Sequence, residues 1–137
     1  TIPIGLADIK REGNDVTVVS FGKIIKEAYK AAELLSSEGI DCEIIDLRTV
    51  RPMDHKTIIN SVKKTNRLVI LEEAWPFGNV STEITYQVQS QAFDYLDAPI
   101  EKINTADTPA PYSPVLLQEW LPSSIDVVNA VKKVLYK

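Results

Sequence analysis

The chain has 137 residues, 45% apolar and 25% charged, the balance of one globular domain with enough residues to bury a core of its own. A single cysteine, Cys42, excludes an internal disulfide framework and points to a reducing compartment. One Cys with one His, His55, leaves too few soft ligands for a structural zinc site. The net charge of −4 is uneven: residues 1–67 sum to +1 and residues 68–137 to −5, with Lys102 the only basic residue between Arg67 and Lys132. Such an acidic half argues against nucleic acid, which needs a basic face; it either keeps the surface solvated and nothing more, or suits a basic protein partner. No apolar run approaches the roughly 20 residues of a membrane span. Thr1-Ile2-Pro3-Ile4 has no basic region leading an apolar one, so no signal peptide is read there. The missing initial Met makes a piece of a longer chain the expectation.

Asp8–Glu12 alternates weakly before a Gly13-Asn14-Asp15 turn, and the β-branched run Val16–Phe21 predicts a strand. Ile24, Ala28, Ala31, Ala32 and Leu35 recur at helical spacing, and Gly39 is placed to end that helix. Cys42–Leu47 predicts the next strand. Asp54 is a good N-cap for a helix carrying Ile58, Ile59 and Val62, and Met53 stands at the staple position for Ile58. Leu68–Leu71 is a short unbroken apolar run, the pattern of a strand covered on both faces. Val80, Ile84 and Val88 fit one helix stripe, and Ile100–Ile103 predicts a further strand. Thr105–Pro122 is read as a long segment without regular structure. Ser123 or Ser124 then caps a helix with Ile125, Val128, Val131 and Leu135 inward. Strands alternating with helices predict an α/β domain over residues 1–137, with a parallel sheet between two helical layers.

A doubly wound sheet places ligands at the carboxyl ends of its strands, but the sequence has no glycine-rich phosphate loop there. His55 is read as a solvent-facing first-turn residue and Cys42 as a small core side chain. Glu72 and Glu73 end a strand at the ligand edge, yet adjacent strand residues face opposite sides. No catalytic, cofactor-binding or metal-ligating residue is assigned. Arg48 and Arg51 flank the turn in Asp46-Leu47-Arg48-Thr49-Val50-Arg51-Pro52-Met53-Asp54. Two arginines there can clamp an anion, or can pair with Asp46, Asp54 or a neighbouring subunit and stiffen the turn.

That segment resembles the signature of the transketolase C-terminal domain. More closely, the chain resembles the beta subunits of thiamine-diphosphate-dependent 2-oxo acid dehydrogenases, the pyruvate and branched-chain type. Ile2–Ala7, Arg11–Gly13, Asp15–Ser20, Glu72 with Trp75-Pro76, Glu83-Ile84, Phe93–Ile100 and Ala106–Tyr112 carry the resemblance in the same order. Gly78 stands alone between Glu72 and the next helix, where the family has more glycines.

The resemblance implies a three-layer α/β/α domain on a five-stranded, mostly parallel sheet, with the segment near Asp8–Glu12 as its one antiparallel strand. It implies a parent enzyme that oxidatively decarboxylates a 2-oxo acid and passes the acyl group to a lipoyl arm. Thiamine diphosphate and magnesium would sit in other domains, none in this one. The implied role here is non-catalytic assembly and docking. The implied partners are the other domains or alpha subunit, a two-fold partner beta subunit, and the basic subunit-binding domain of the dihydrolipoyl acyltransferase. Asp97 is the first docking residue expected, and the carboxylate of Lys137 the second. Neither nucleic acid nor membrane is expected as a partner, and the compartment is the cytoplasm or the mitochondrial matrix. The alternatives are the same domain in a transketolase or deoxyxylulose phosphate synthase, and a regulatory module binding a small anion through Arg48 and Arg51.

Overall fold

A computed structural model describes residues 1–137. In chain order the elements are β1 (Asp8–Arg11), β2 (Val16–Ser20), α1 (Ile25–Ser37), β3 (Cys42–Asp46), α2 (His55–Thr65), β4 (Leu68–Leu71), α3 (Val80–Ala92), a 3-10 turn (Phe93–Tyr95), β5 (Glu101–Ile103), α4 (Pro114–Trp120) and α5 (Ser124–Val134). The sheet order is β1-β3-β2-β4-β5. β2, β3, β4 and β5 are parallel, and β1 runs antiparallel along the outer edge of β3, with a bulge between Ile9 and Arg11.

The apolar runs in β2 and β4 follow from this topology. Both strands lie inside the sheet under helices on each face, so every residue of each is buried. One core cluster packs α1 and α5 against the face that presents Val16, Val18, Ile44 and Leu71. The other packs α2 and α3 against Val19, Ile45 and Ile70. Each of the fully buried isoleucines and leucines contributes about 2 kcal/mol, an upper estimate because the unfolded chain already shields some surface. Of the two polar residues buried in β2, Thr17 is satisfied by the hydroxyls of Ser61 at 2.6 Å and Thr65 at 2.7 Å on α2, and Ser20 Oγ donates to Leu71 O at 2.9 Å.

Local sequence sets the helix ends. α1 stops in a Schellman arrangement: Gly39 (φ +77°) donates to Ser36 O, and Ile40 donates to Leu35 O. α2 starts where Asp54 Oδ1 accepts the Thr57 amide at 3.1 Å, and Met53 shares the cluster of Ile58. α5 starts with a capping box between Ser123 and Asp126.

Three expectations need correction. Thr105–Pro122 is not irregular throughout, because it contains α4. Pro114 occupies the first turn of that helix, where its missing N–H costs nothing, and no residue of α4 is buried enough to leave a periodic stripe. α5 turns Val127, Val128, Val131 and Val134 inward, leaving Ile125 56% exposed and Leu135 only partly buried. A stripe of i, i+1, i+4, i+7 satisfies the same helical period with a different phase. His55 is half-buried rather than solvent-facing, and its Nδ1 is enclosed without a hydrogen-bond partner.

Candidate docking interface

The carboxyl ends of the strands carry little reactive chemistry. No group of three or more His, Cys, Asp or Glu side chains is placed to hold a metal ion. Glu72 and Glu73 diverge, as strand geometry requires. Glu72 is fully buried, and its Oε1 accepts from the Ser81 amide at the start of α3 and from Asn104 Nδ2. Glu73 lines a groove of about 450 Å³ beside the first turn of α1. Cys42 is buried and pushed up to about 12 by that burial, so it stays a thiol.

Arg48 and Arg51 are not held alike. Arg48 has a positive φ of 57°, its amide donates to Asp46 Oδ1 at 3.0 Å, and its guanidinium pairs with Asp8 on the antiparallel edge strand. The Arg48 fork therefore fastens β1 to the end of β3. Its partner is Asp8 rather than Asp46 or Asp54. The Asp54 carboxylate is taken by Thr57 and by the Ala7 amide. Burial raises the Asp54 carboxyl, but these hydrogen bonds outweigh it and hold the group below its ordinary value. Arg51 is exposed and makes no ion pair, so a two-armed clamp would have to free Arg48 first.

Asp97 stands in the turn between the 3-10 segment and β5, and that turn is tied down from two directions. Asn66, left-handed at the end of α2 (φ 62°), donates its side-chain amide to Tyr95 O at 2.8 Å. Its own carbonyl accepts the Asp97 amide at 2.9 Å. From the other side, the Tyr136 hydroxyl donates to Asp97 O at 3.2 Å. Leu96 and Ile100 pack onto one core cluster and Ala98 is buried in the other, while the Lys63 ammonium lies 5.1 Å from the centre of the Tyr95 ring.

The main chain of Asp97 is thus fixed while its carboxylate is left open. The side chain is 57% exposed and accepts no hydrogen bond from the chain. Its one ion-pair partner is Arg67, with Nη2 3.8 Å from Oδ2. Beside it runs a groove of about 480 Å³, lined by Thr85, Gln89, Phe93 and Tyr136 among others. Phe93 and Tyr136 are 64% and 73% exposed. Lys137 follows Tyr136, with its amide donating to Lys132 O at 3.0 Å. The end of α5 therefore lies over the Asp97 turn. Sequence reasoning names Asp97 and Lys137 but misses Asn66, Arg67 and Tyr136. Asn66 carries a usable signal, since Asn after a helix favours the left-handed conformation.

A second surface gathers near the carboxyl ends of the strands. The indoles of Trp75 and Trp120 both donate to Thr108 O at 2.8 Å, which pins the Pro-rich stretch. Phe77 and Tyr112 remain 90% or more exposed.

The family model described as Transketolase, C-terminal domain matches residues 5–127. The pyruvate dehydrogenase E1 component subunit beta of Rickettsia felis is 54% identical over 135 residues, covering 98% of this chain and 41% of that subunit. The mitochondrial subunit of the same name from Dictyostelium discoideum is 49% identical over 133 residues, covering 97% of this chain and 37% of that one. A solved structure described as split gene transketolase, inactive beta4 tetramer, matches with a TM-score of 0.85 at 27% identity, covering 98% of this chain and 43% of that one. The chain spans less than half the length of these relatives. Sheet order, the single antiparallel edge strand and the match over most of the sequence agree: the chain belongs to the transketolase C-terminal domain family.

Proposed function

We propose that this domain is a non-catalytic assembly and docking piece of the decarboxylating component of a 2-oxo acid dehydrogenase complex. The parent enzyme would oxidatively decarboxylate a 2-oxo acid and pass the acyl group to lipoyl groups, using thiamine diphosphate and magnesium held elsewhere. Identity near 50% to pyruvate dehydrogenase E1 beta subunits over nearly the whole chain supports this over a transketolase, where the solved relative is 27% identical. The matched relatives include a mitochondrial subunit, so the matrix or a bacterial cytoplasm is the compartment proposed.

The observation that carries the docking role is Asp97: main chain bonded on both sides, carboxylate open in an acidic half of the chain. A charged group already fixed in place loses little freedom on binding, which favours affinity. The partner proposed is the basic subunit-binding domain of the dihydrolipoyl acyltransferase, with Lys137 as the second contact. The exposed Phe77 and Tyr112 rim would face the parent enzyme's other domains or alpha subunit.

Calorimetric titration of the chain with that subunit-binding domain tests the role, with light scattering to report oligomeric state. Binding that weakens with salt and disappears in Asp97→Ala is the expected result. A dimeric chain that does not bind would overturn it.

A further inference from the structure

Resting on the docking role proposed above, we infer that Arg67 is a built-in attenuator of that site. It is a fixed cation beside Asp97 that lowers the affinity for a basic partner and keeps docking reversible.

Arg67 is not a hydrogen-bonded partner of Asp97. Its Nη2 lies 3.8 Å from Oδ2, beyond hydrogen-bond range, so the interaction is Coulombic alone. The directional bond of the guanidinium goes elsewhere: Nε donates to Val134 O at 3.0 Å, at the last residue of α5. A cation is favourable at a helix carboxyl end, and this one is 24% exposed. The main chain beneath it is equally committed, since Arg67 O accepts the Thr17 amide at 2.9 Å and the Thr65 hydroxyl at 3.1 Å. Arg67 is thus anchored by contacts that owe nothing to Asp97, and a docking partner does not displace it.

The consequence is electrostatic. A lysine or arginine of the partner that reaches the open side of Asp97 shares that carboxylate with a like charge on its inner side. The two nearest lysines are engaged elsewhere and do not change this. Lys63 is held over the Tyr95 ring, and Lys133 is paired with Glu101 at 2.8 Å. Asp94, exposed within the 3-10 turn, is the one nearby carboxylate that favours a basic partner, and it leaves the cation beside Asp97 in place. Removing the Arg67 charge should therefore strengthen docking, where removing a structural strut would weaken it.

The test is titration of the chain with the acyltransferase subunit-binding domain for wild type, Arg67→Gln and Arg67→Lys, at low and high salt. Thermal unfolding of each variant confirms that the fold is kept. The expected result is binding about five-fold tighter for Arg67→Gln at low salt, the scale of one exposed ion pair. The gain should shrink at high salt, where the partner's cation and Arg67 no longer sense each other strongly. Arg67→Lys keeps the charge and should bind as wild type does. Wild-type binding that is lost in Asp97→Ala but unchanged or weaker in Arg67→Gln overturns the attenuator while leaving the docking role intact. A dimeric wild type that does not bind overturns the docking role and the attenuator with it.

Discussion

The hydroxyl of Tyr136 donates to the main-chain carbonyl of Asp97 at 3.2 Å, joining the end of the last helix to the turn before the last strand. Two segments 39 positions apart are thereby held in one orientation, and the groove beside Asp97 has Tyr136 as part of its wall.

Tyr136→Phe removes only that hydroxyl. The bond is exposed, so the loss of folding stability should stay below about 1 kcal/mol. Docking should suffer more, because the Asp97 main chain loses the bond on its α5 side and is held there only by the Asn66 carbonyl and the packing of its neighbours. We expect affinity for the basic subunit-binding domain to fall about three-fold, roughly 0.7 kcal/mol. Equal affinity for the variant and wild type in the same titration would mean that Tyr136 does not help to fix the turn.

A second prediction concerns Glu43, which is 1% exposed in β3 and is met by the Lys64 ammonium and by the Gly13 amide at 3.3 Å. Burial pushes the Glu43 carboxyl up, but the hydrogen bonds from Lys64 and other groups outweigh it and hold the group below its ordinary value. Lys64→Ala strands a buried carboxylate and should cost about 2 kcal/mol at pH 7, discounted because the lysine itself is 39% exposed. The sign of the pH dependence follows from the lowered value. The contribution is complete above the ordinary glutamate range and is lost as pH falls below about 4, through the folded value. Denaturant unfolding should therefore show the gap between variant and wild type narrowing in acid. A gap independent of pH would assign the loss to packing.

Gly13 and Gly22 separate steric from conformational need. A Cβ on Gly13 would lie 2.3 Å from Cys42 C and 2.4 Å from Glu43 N, both main-chain atoms of β3 that cannot step aside. Gly13→Ala should cost about 3 kcal/mol, at the upper end of overpacking, because β1 must lift from the sheet. Gly22 has a φ of +70° but open space around it, so Gly22→Ala should cost about 1 kcal/mol of backbone strain. Equal losses in urea unfolding would contradict the distinction.

The sequence by itself determined the order of the strands and of every α-helix but α4, the two helical layers, and the caps at Gly39, Asp54 and Ser123. Each of these depends on short-range chemistry: Asp54 and Ser123 bond to amides three residues on, and Gly39 supplies a left-handed residue at a helix end. The parallel character of the inner strands was legible as well, because strands covered on both faces must be apolar throughout, as Leu68–Leu71 is. Helix phase was less secure. Ile125 and Val127 fit the same period, and only the packing of α5 against α1, β4 and β5 turned Val127 inward. α4 leaves no periodic signal because none of its residues is buried. The surroundings of Asp97 were decided by tertiary structure alone. Asn66, Arg67, Val134 and Tyr136 meet there only after the α2–β4 turn, the end of α5 and the turn before β5 have been brought together by the two cores. Contacts between residues 30 to 70 positions apart leave no periodic trace in the chain, so the fold had to supply them.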